Sequence, residues 1–114
     1  VRPALWDPRL GHFDRYVRAN ETMPALDPDL LVRCCEDART ICRALGYDMN
    51  TVELAIQDGI PYAIDFMNSA PDFDITSLGP DHFRWTVEKM ADLVIRLAKE
   101  TPPPRAMNWR DVMR

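Results

Sequence analysis

The chain lacks any run of apolar residues near the roughly 18 to 20 that a membrane-spanning helix requires. It also lacks the charged start and apolar stretch of a secretion signal. A soluble, cytoplasmic protein is the expectation. Positive charge is not in excess: 14 Lys and Arg stand against 18 Asp and Glu, a formal net charge of −4. No global field would draw such a chain to nucleic acid or to an anionic membrane. The cysteines number three, and two of them, Cys34 and Cys35, are adjacent, which argues against a disulfide framework or a zinc knuckle. They read as reduced thiols, with Cys35 and Cys42 on one helix face beside Leu31, Ala38 and Leu45. The two histidines, His12 and His82, have no spaced partner for zinc and read as surface or helix-end residues. There is no internal repeat, and the triple proline after Thr101 is the one low-complexity patch.

What is present suffices for one domain at most, since 114 residues bury a single core. The chain starts with Val1 rather than Met, which reads as a segment of a longer polypeptide. Residues 1–26 hold prolines at 3, 8 and 24, and an alternating stretch from His12 to Val17 suggests one short strand. The next segment predicts a helix over 28–45. Asp27 suits the N-cap, Pro28 the first turn and Gly46 the C-terminal stop. Leu31, Cys34, Cys35, Ala38, Ile41, Cys42 and Leu45 form its apolar stripe, while Arg33, Glu36, Asp37 and Arg39 lie outside it.

The period then changes to two. "MNTVELAIQDGIPYAIDF" contains two β-like runs around Asp58-Gly59, a dipeptide favoured in tight hairpins because both residues tolerate positive φ. A hairpin over 48–57 and 60–67 follows, with Pro61 where no ladder bond is needed. A loop leads to a second helix over 80–100, in which Phe83, Val87, Met90, Val94 and Leu97 recur at three- and four-residue steps. "TPPPR" stops it, and the tail over 101–114 has room for a short amphipathic helix through Trp109, Val112 and Met113. The expected fold class is α+β: a small antiparallel sheet packed against two helices.

Carboxylates on the hairpin need an explanation, because a buried, unpartnered carboxylate costs several kcal/mol or takes up a proton. One explanation is a solvated face, which antiparallel sheets commonly have. The other is that Glu53, Asp65 and Asn68 supply oxygens to Mg²⁺, which takes one or two carboxylates, waters and usually a phosphate. Register decides between the geometries. A strict two-residue turn pairs Glu53 with Ile64 and turns Asp65 away, whereas a three-residue loop sets Glu53 opposite Asp65, and a bulge near Met67 could then return Asn68 to their side. Asp72 and Asp74, beyond the strand, read as turn-forming residues.

"NTVELAIQDGIPYAIDFMNSAP" resembles the closing hairpin of the ATP-grasp superfamily, in which an acid on one strand is followed by an acid and an asparagine on the next. Glu53 matches the first acid and Asn68 the asparagine. The residue two before Asn68 is Phe66, and Asp65 lies one place before the family's second acid. "YDMNTVE", "GIPYAIDFMN" and "APDFD" look similar to a bacterial ATP-grasp group in which "YDPR" and "HHxRY" precede the helix, as "WDPRLGHFDRY" does here.

The resemblance covers roughly Leu5 to Lys99 and only the C-terminal part of an ATP-grasp domain. It implies that Glu53, Asn68 and Asp65 hold Mg²⁺ against ATP, and that a carboxylate substrate is phosphorylated to an acyl phosphate that an amine or similar nucleophile attacks. Arg9 and Arg15 are the candidates for stabilising phosphoryl charge. The implied partners are the nucleotide and a small carboxylate, bound together with an N-terminal lobe; a homo-oligomer is compatible with this. The alternative is a non-catalytic α+β docking module derived from the same fold.

Overall fold

The computed structural model describes residues 1–68, 70–103 and Arg110. Its elements are α1 (Ala19–Thr22), α2 (Pro28–Leu45), β1 (Glu53–Gln57), β2 (Ile60–Asp65), α3 (Ile75–Leu78) and α4 (Pro80–Glu100). The expected α+β class is what the structure has, with a two-stranded antiparallel sheet and both long helices at their expected bounds. The chain forms two compact units. One contains Asp27–Pro71, with α2 and the hairpin; the other contains Arg2–Leu26 and Asp72–Thr101, with α1, α3 and α4. The short helix expected through Trp109, Val112 and Met113 lies outside the described residues. No described helix is long and apolar enough to cross a membrane.

Helix α2 is specified at both ends. Asp27 Oδ1 accepts from the backbone N–H groups of Asp29 and Leu30, each at 3.0 Å, so two of the first-turn donors are satisfied by one side chain. Pro28 follows, where a missing N–H costs nothing. At the other end Gly46 takes a left-handed φ of 76°, and the N–H of Tyr47 reaches back to the Cys42 carbonyl at 2.9 Å, closing a Schellman turn. Leu31, Cys34, Cys35, Ala38, Ile41, Cys42 and Leu45 are all half-buried, whereas Arg33, Glu36 and Arg39 are exposed. The apolar stripe therefore faces inward, as its spacing requires.

The second unit departs from expectation at its start. His12 to Val17 is a run of turns, not a strand. Its carbonyls and amides bond locally, with Asp14 N donating to Gly11 O and Arg18 N to Asp14 O, both at 2.9 Å. A strand needs a neighbouring ladder, and β1 pairs only with β2. The turns lead into α1, where Ala19 is fully buried. Helix α4 begins at Gly79, whose φ of 76° carries no penalty without a Cβ; an added Cβ would lie 3.0 Å from Val17 Cγ2. Gly79 thus serves both the turn between α3 and α4 and the close approach of the N-terminal segment.

The strands are shorter than the 48–57 and 60–67 expected. Residues 48–52 and 66–67 lie outside the ladder. A side chain replaces the ladder there: Asn50 Nδ2 donates to the Phe66 carbonyl at 2.7 Å and lies 3.8 Å from Cys42 Sγ, joining the end of the hairpin to α2.

The α2 cap yields a stability test. Asp27→Ala is expected to lower unfolding free energy by about 1 kcal/mol, and Asp27→Asn by much less, because the amide oxygen still accepts. Urea unfolding followed by circular dichroism measures both.

Candidate functional site

The hairpin is built from its turn outward. Asp58 and Gly59 both have positive φ, 53° and 73°, which is the two-residue turn whose twist matches paired strands. Gln57 then opposes Ile60, Ile56 opposes Pro61, Ala55 opposes Tyr62 and Leu54 opposes Ala63. Ladder bonds alternate along an antiparallel pair, so the Gln57–Ile60 pair next to the turn is hydrogen-bonded and the Ile56–Pro61 pair is not. Pro61 occupies the place where its lack of an amide hydrogen does no harm.

Simple continuation would set Glu53 opposite Ile64. Instead the register shifts between Glu53 and Leu54, and Glu53 opposes Asp65. One extra residue, Ile64, is accommodated by a bulge, and the alternation on β2 is displaced by one. Neither sequence alternative was complete: the turn has two residues, yet the two acids are opposite. The bulge lies at Ile64, not near Met67.

Glu53 is half-buried and Asp65 exposed. Directly opposed side chains on adjacent strands have Cβ atoms about 4.5–5.5 Å apart, and like charges there repel. Asn68 is half-buried in the loop that follows, and its Oδ1 accepts from the Ala70 N–H at 3.1 Å. Two carboxylates and an amide suit Mg²⁺, which needs few protein ligands and keeps several waters. Among the described residues no three His, Cys, Asp or Glu side chains converge as a metal cluster.

The two candidate arginines belong to the other unit. Arg9 grips Asp7 with one edge of its guanidinium, Nε to Oδ1 at 2.8 Å and Nη2 to Oδ2 at 2.6 Å, and its backbone N–H donates to the same carboxylate at 3.0 Å. Asp7 is only 1% exposed. The guanidinium of Arg9, followed by the Thr22 hydroxyl, holds the Asp7 carboxyl well below the usual range. Arg15 donates from Nε to the Leu10 carbonyl at 3.2 Å, and its guanidinium lies 5.5 Å from the centre of the Trp6 ring. The "WDPRLGHFDRY" segment is therefore folded around these two arginines.

A third cluster was not anticipated. Ser77, 2% exposed, donates its hydroxyl to Asp72 Oδ2 at 2.7 Å and lies 3.0 Å from His12 Nε2. His12 Nε2 is also 3.2 Å from Asp72 Oδ2. A serine has one proton to give, so His12 Nε2 is the donor in this arrangement. That excludes a catalytic triad, in which histidine accepts from serine and the acid binds the opposite ring nitrogen.

The Ser77 hydroxyl and then the Asp74 N–H lower the Asp72 pKa, and Asp74 is lowered by Thr76, which contributes both its hydroxyl and its N–H. Asp72 and Asp74 are turn acids, as their sequence setting indicated. The contact of Asp72 with His12 spans sixty positions, and local sequence carries no signal for it.

Comparison with protein-family models, with curated proteins and with solved structures returns no match.

The depressed carboxyls predict the direction of acid sensitivity. The folded chain binds fewer protons at Asp7, Asp72 and Asp74 than the unfolded chain, so their contribution is complete above the ordinary value of 3.8 and is lost as pH falls through and below it. Asp7→Asn is expected to be less stable than wild type at pH 7 and to show a flatter decline below pH 3.8, read from thermal midpoints across a pH series.

Proposed function

We propose that this chain forms the metal-bearing wall of an ATP-dependent carboxylate ligase of the ATP-grasp type, with Glu53, Asp65 and Asn68 as the Mg²⁺ ligands. The observation that carries this reading is the Ile64 bulge, which sets Asp65 opposite Glu53. Paired strands hold two opposed carboxylates at a separation that one divalent cation can bridge. Mg²⁺, when bound, would offset the charge of ATP phosphate oxygens during phosphorylation of the carboxylate substrate.

The chain's own residues divide the remaining work. Glu53 and Asp65 present oxygens from paired strands, which hold their separation better than a loop does. Asn68 contributes a neutral amide oxygen at the strand exit. Arg9 shares its charge with Asp7, whereas Arg15 is held by a carbonyl and a ring that leave its charge intact. The substrates are a nucleotide and a small carboxylate, the compartment is the cytoplasm, and an N-terminal lobe completes the site.

The exposed apolar residues Ile60, Tyr62 and Ile64 of β2 favour a second reading, a docking module without catalysis.

Manganese separates the two. Added to the isotopically labelled chain at substoichiometric levels, Mn²⁺ is expected to broaden the resonances of Glu53, Asp65 and Asn68 first, and Asp65→Asn to remove that selectivity. Broadening spread evenly over the surface acids would defeat the ligase reading. In the polypeptide that carries this chain, Glu53→Ala is expected to lower Mg-ATP turnover by at least about 100-fold while leaving the circular dichroism unchanged.

A further inference from the structure

The chain has only two histidines, and each joins the N-terminal segment to the rest of the unit formed by Arg2–Leu26 and Asp72–Thr101, His12 from the segment and His82 from α4. At one end Arg2 Nε donates to His82 Nδ1 at 3.0 Å, and the Arg2 guanidinium lies 6.0 Å from the centre of the Trp85 ring. Accepting this bond requires Nδ1 to be unprotonated, which places the hydrogen of neutral His82 on Nε2. Adding a second proton turns the acceptor into a donor and sets a cation against a cation. Asp81 is the neighbouring acid on α4 that opposes this repulsion.

At the other end His12 Nε2 faces Ser77 Oγ at 3.0 Å and Asp72 Oδ2 at 3.2 Å, and its field reaches Asp74. The Phe13 ring, edge-on at 5.2 Å, is the apolar neighbour on this side. Between the ends, Val17 lies in close approach to Gly79.

We propose that the N-terminal segment is docked on α3 and α4 by a two-ended contact, in which acid releases the Arg2–His82 end. Burial and then the Arg2 charge push the His82 pKa below its ordinary 6.5. The Arg2 end is therefore fully docked above pH 6.5 and is lost as pH falls through the lower, docked value. Mild acid thereby frees the start of the segment, without requiring the whole unit to unfold.

Two-dimensional NMR of the full 114-residue chain tests this between about pH 7.5 and about pH 5. The Arg2 backbone amide and the Trp85 indole N–H are expected to move together toward undocked positions as pH falls below 6.5. His82→Gln retains an acceptor that does not titrate, so Arg2 and Trp85 should stay docked throughout. Asp72→Asn, at the other end of the segment, should leave the Arg2 transition as in wild type. Unmoved Arg2 and Trp85 resonances in the wild-type chain would overturn the proposal, as would a His82→Gln chain that keeps the wild-type transition. The wild-type titration alone decides the proposal, independently of how either variant folds.

Discussion

Side chains alternate strictly along a strand, so one added residue between Ala63 and Asp65 decides which face of the hairpin Asp65 occupies. That constraint governs what the first unit can do. The Asp58-Gly59 turn sets the register from one end, and the pairing would carry Glu53 to Ile64 if nothing intervened. The bulge at Ile64 absorbs the extra residue and brings two carboxylates to opposing positions. Asn50 then ties the strand exit to α2 through the Phe66 carbonyl, so the loop containing Asn68 leaves from a fixed point.

Acids organise the second unit by a different route. Asp7, Asp72 and Asp74 each accept from nearby N–H or O–H groups, and Asp7 also takes a bidentate arginine. Each replaces water by several fixed donors, which is why all three carboxyls are held below their ordinary range. These side chains, together with few buried apolar ones, shape a segment that has little regular secondary structure. Charge here is a structural material, and the involvement of Arg9 with Asp7 illustrates how an arginine that looks functional in sequence can be occupied by the fold.

The elements with strong local causes were legible. An N-cap, an N-terminal proline and a glycine stop framed α2, and a three- and four-residue repeat framed α4, because helices are built from contacts within a few residues. The Asp58-Gly59 turn was equally clear. Residues 12–17 were misleading, since alternation is a necessary sign of a strand but pairing is what makes one. Glu53, Asp65 and Asn68 could be singled out as polar residues on an expected hairpin; the role of His12 could not, because Ser77 and Asp72 are distant in the chain.

The sequence by itself determined the two long helices, the turn type and the set of oxygens available to a cation, all of which follow from backbone preference and short-range spacing. Tertiary structure alone decided that Asp65 opposes Glu53, that Arg9 serves Asp7, and that His12 meets Ser77 and Asp72 while His82 meets Arg2. Those outcomes depend on cross-strand register and on contacts between distant segments, whose energies come from pairings that no local window of sequence contains.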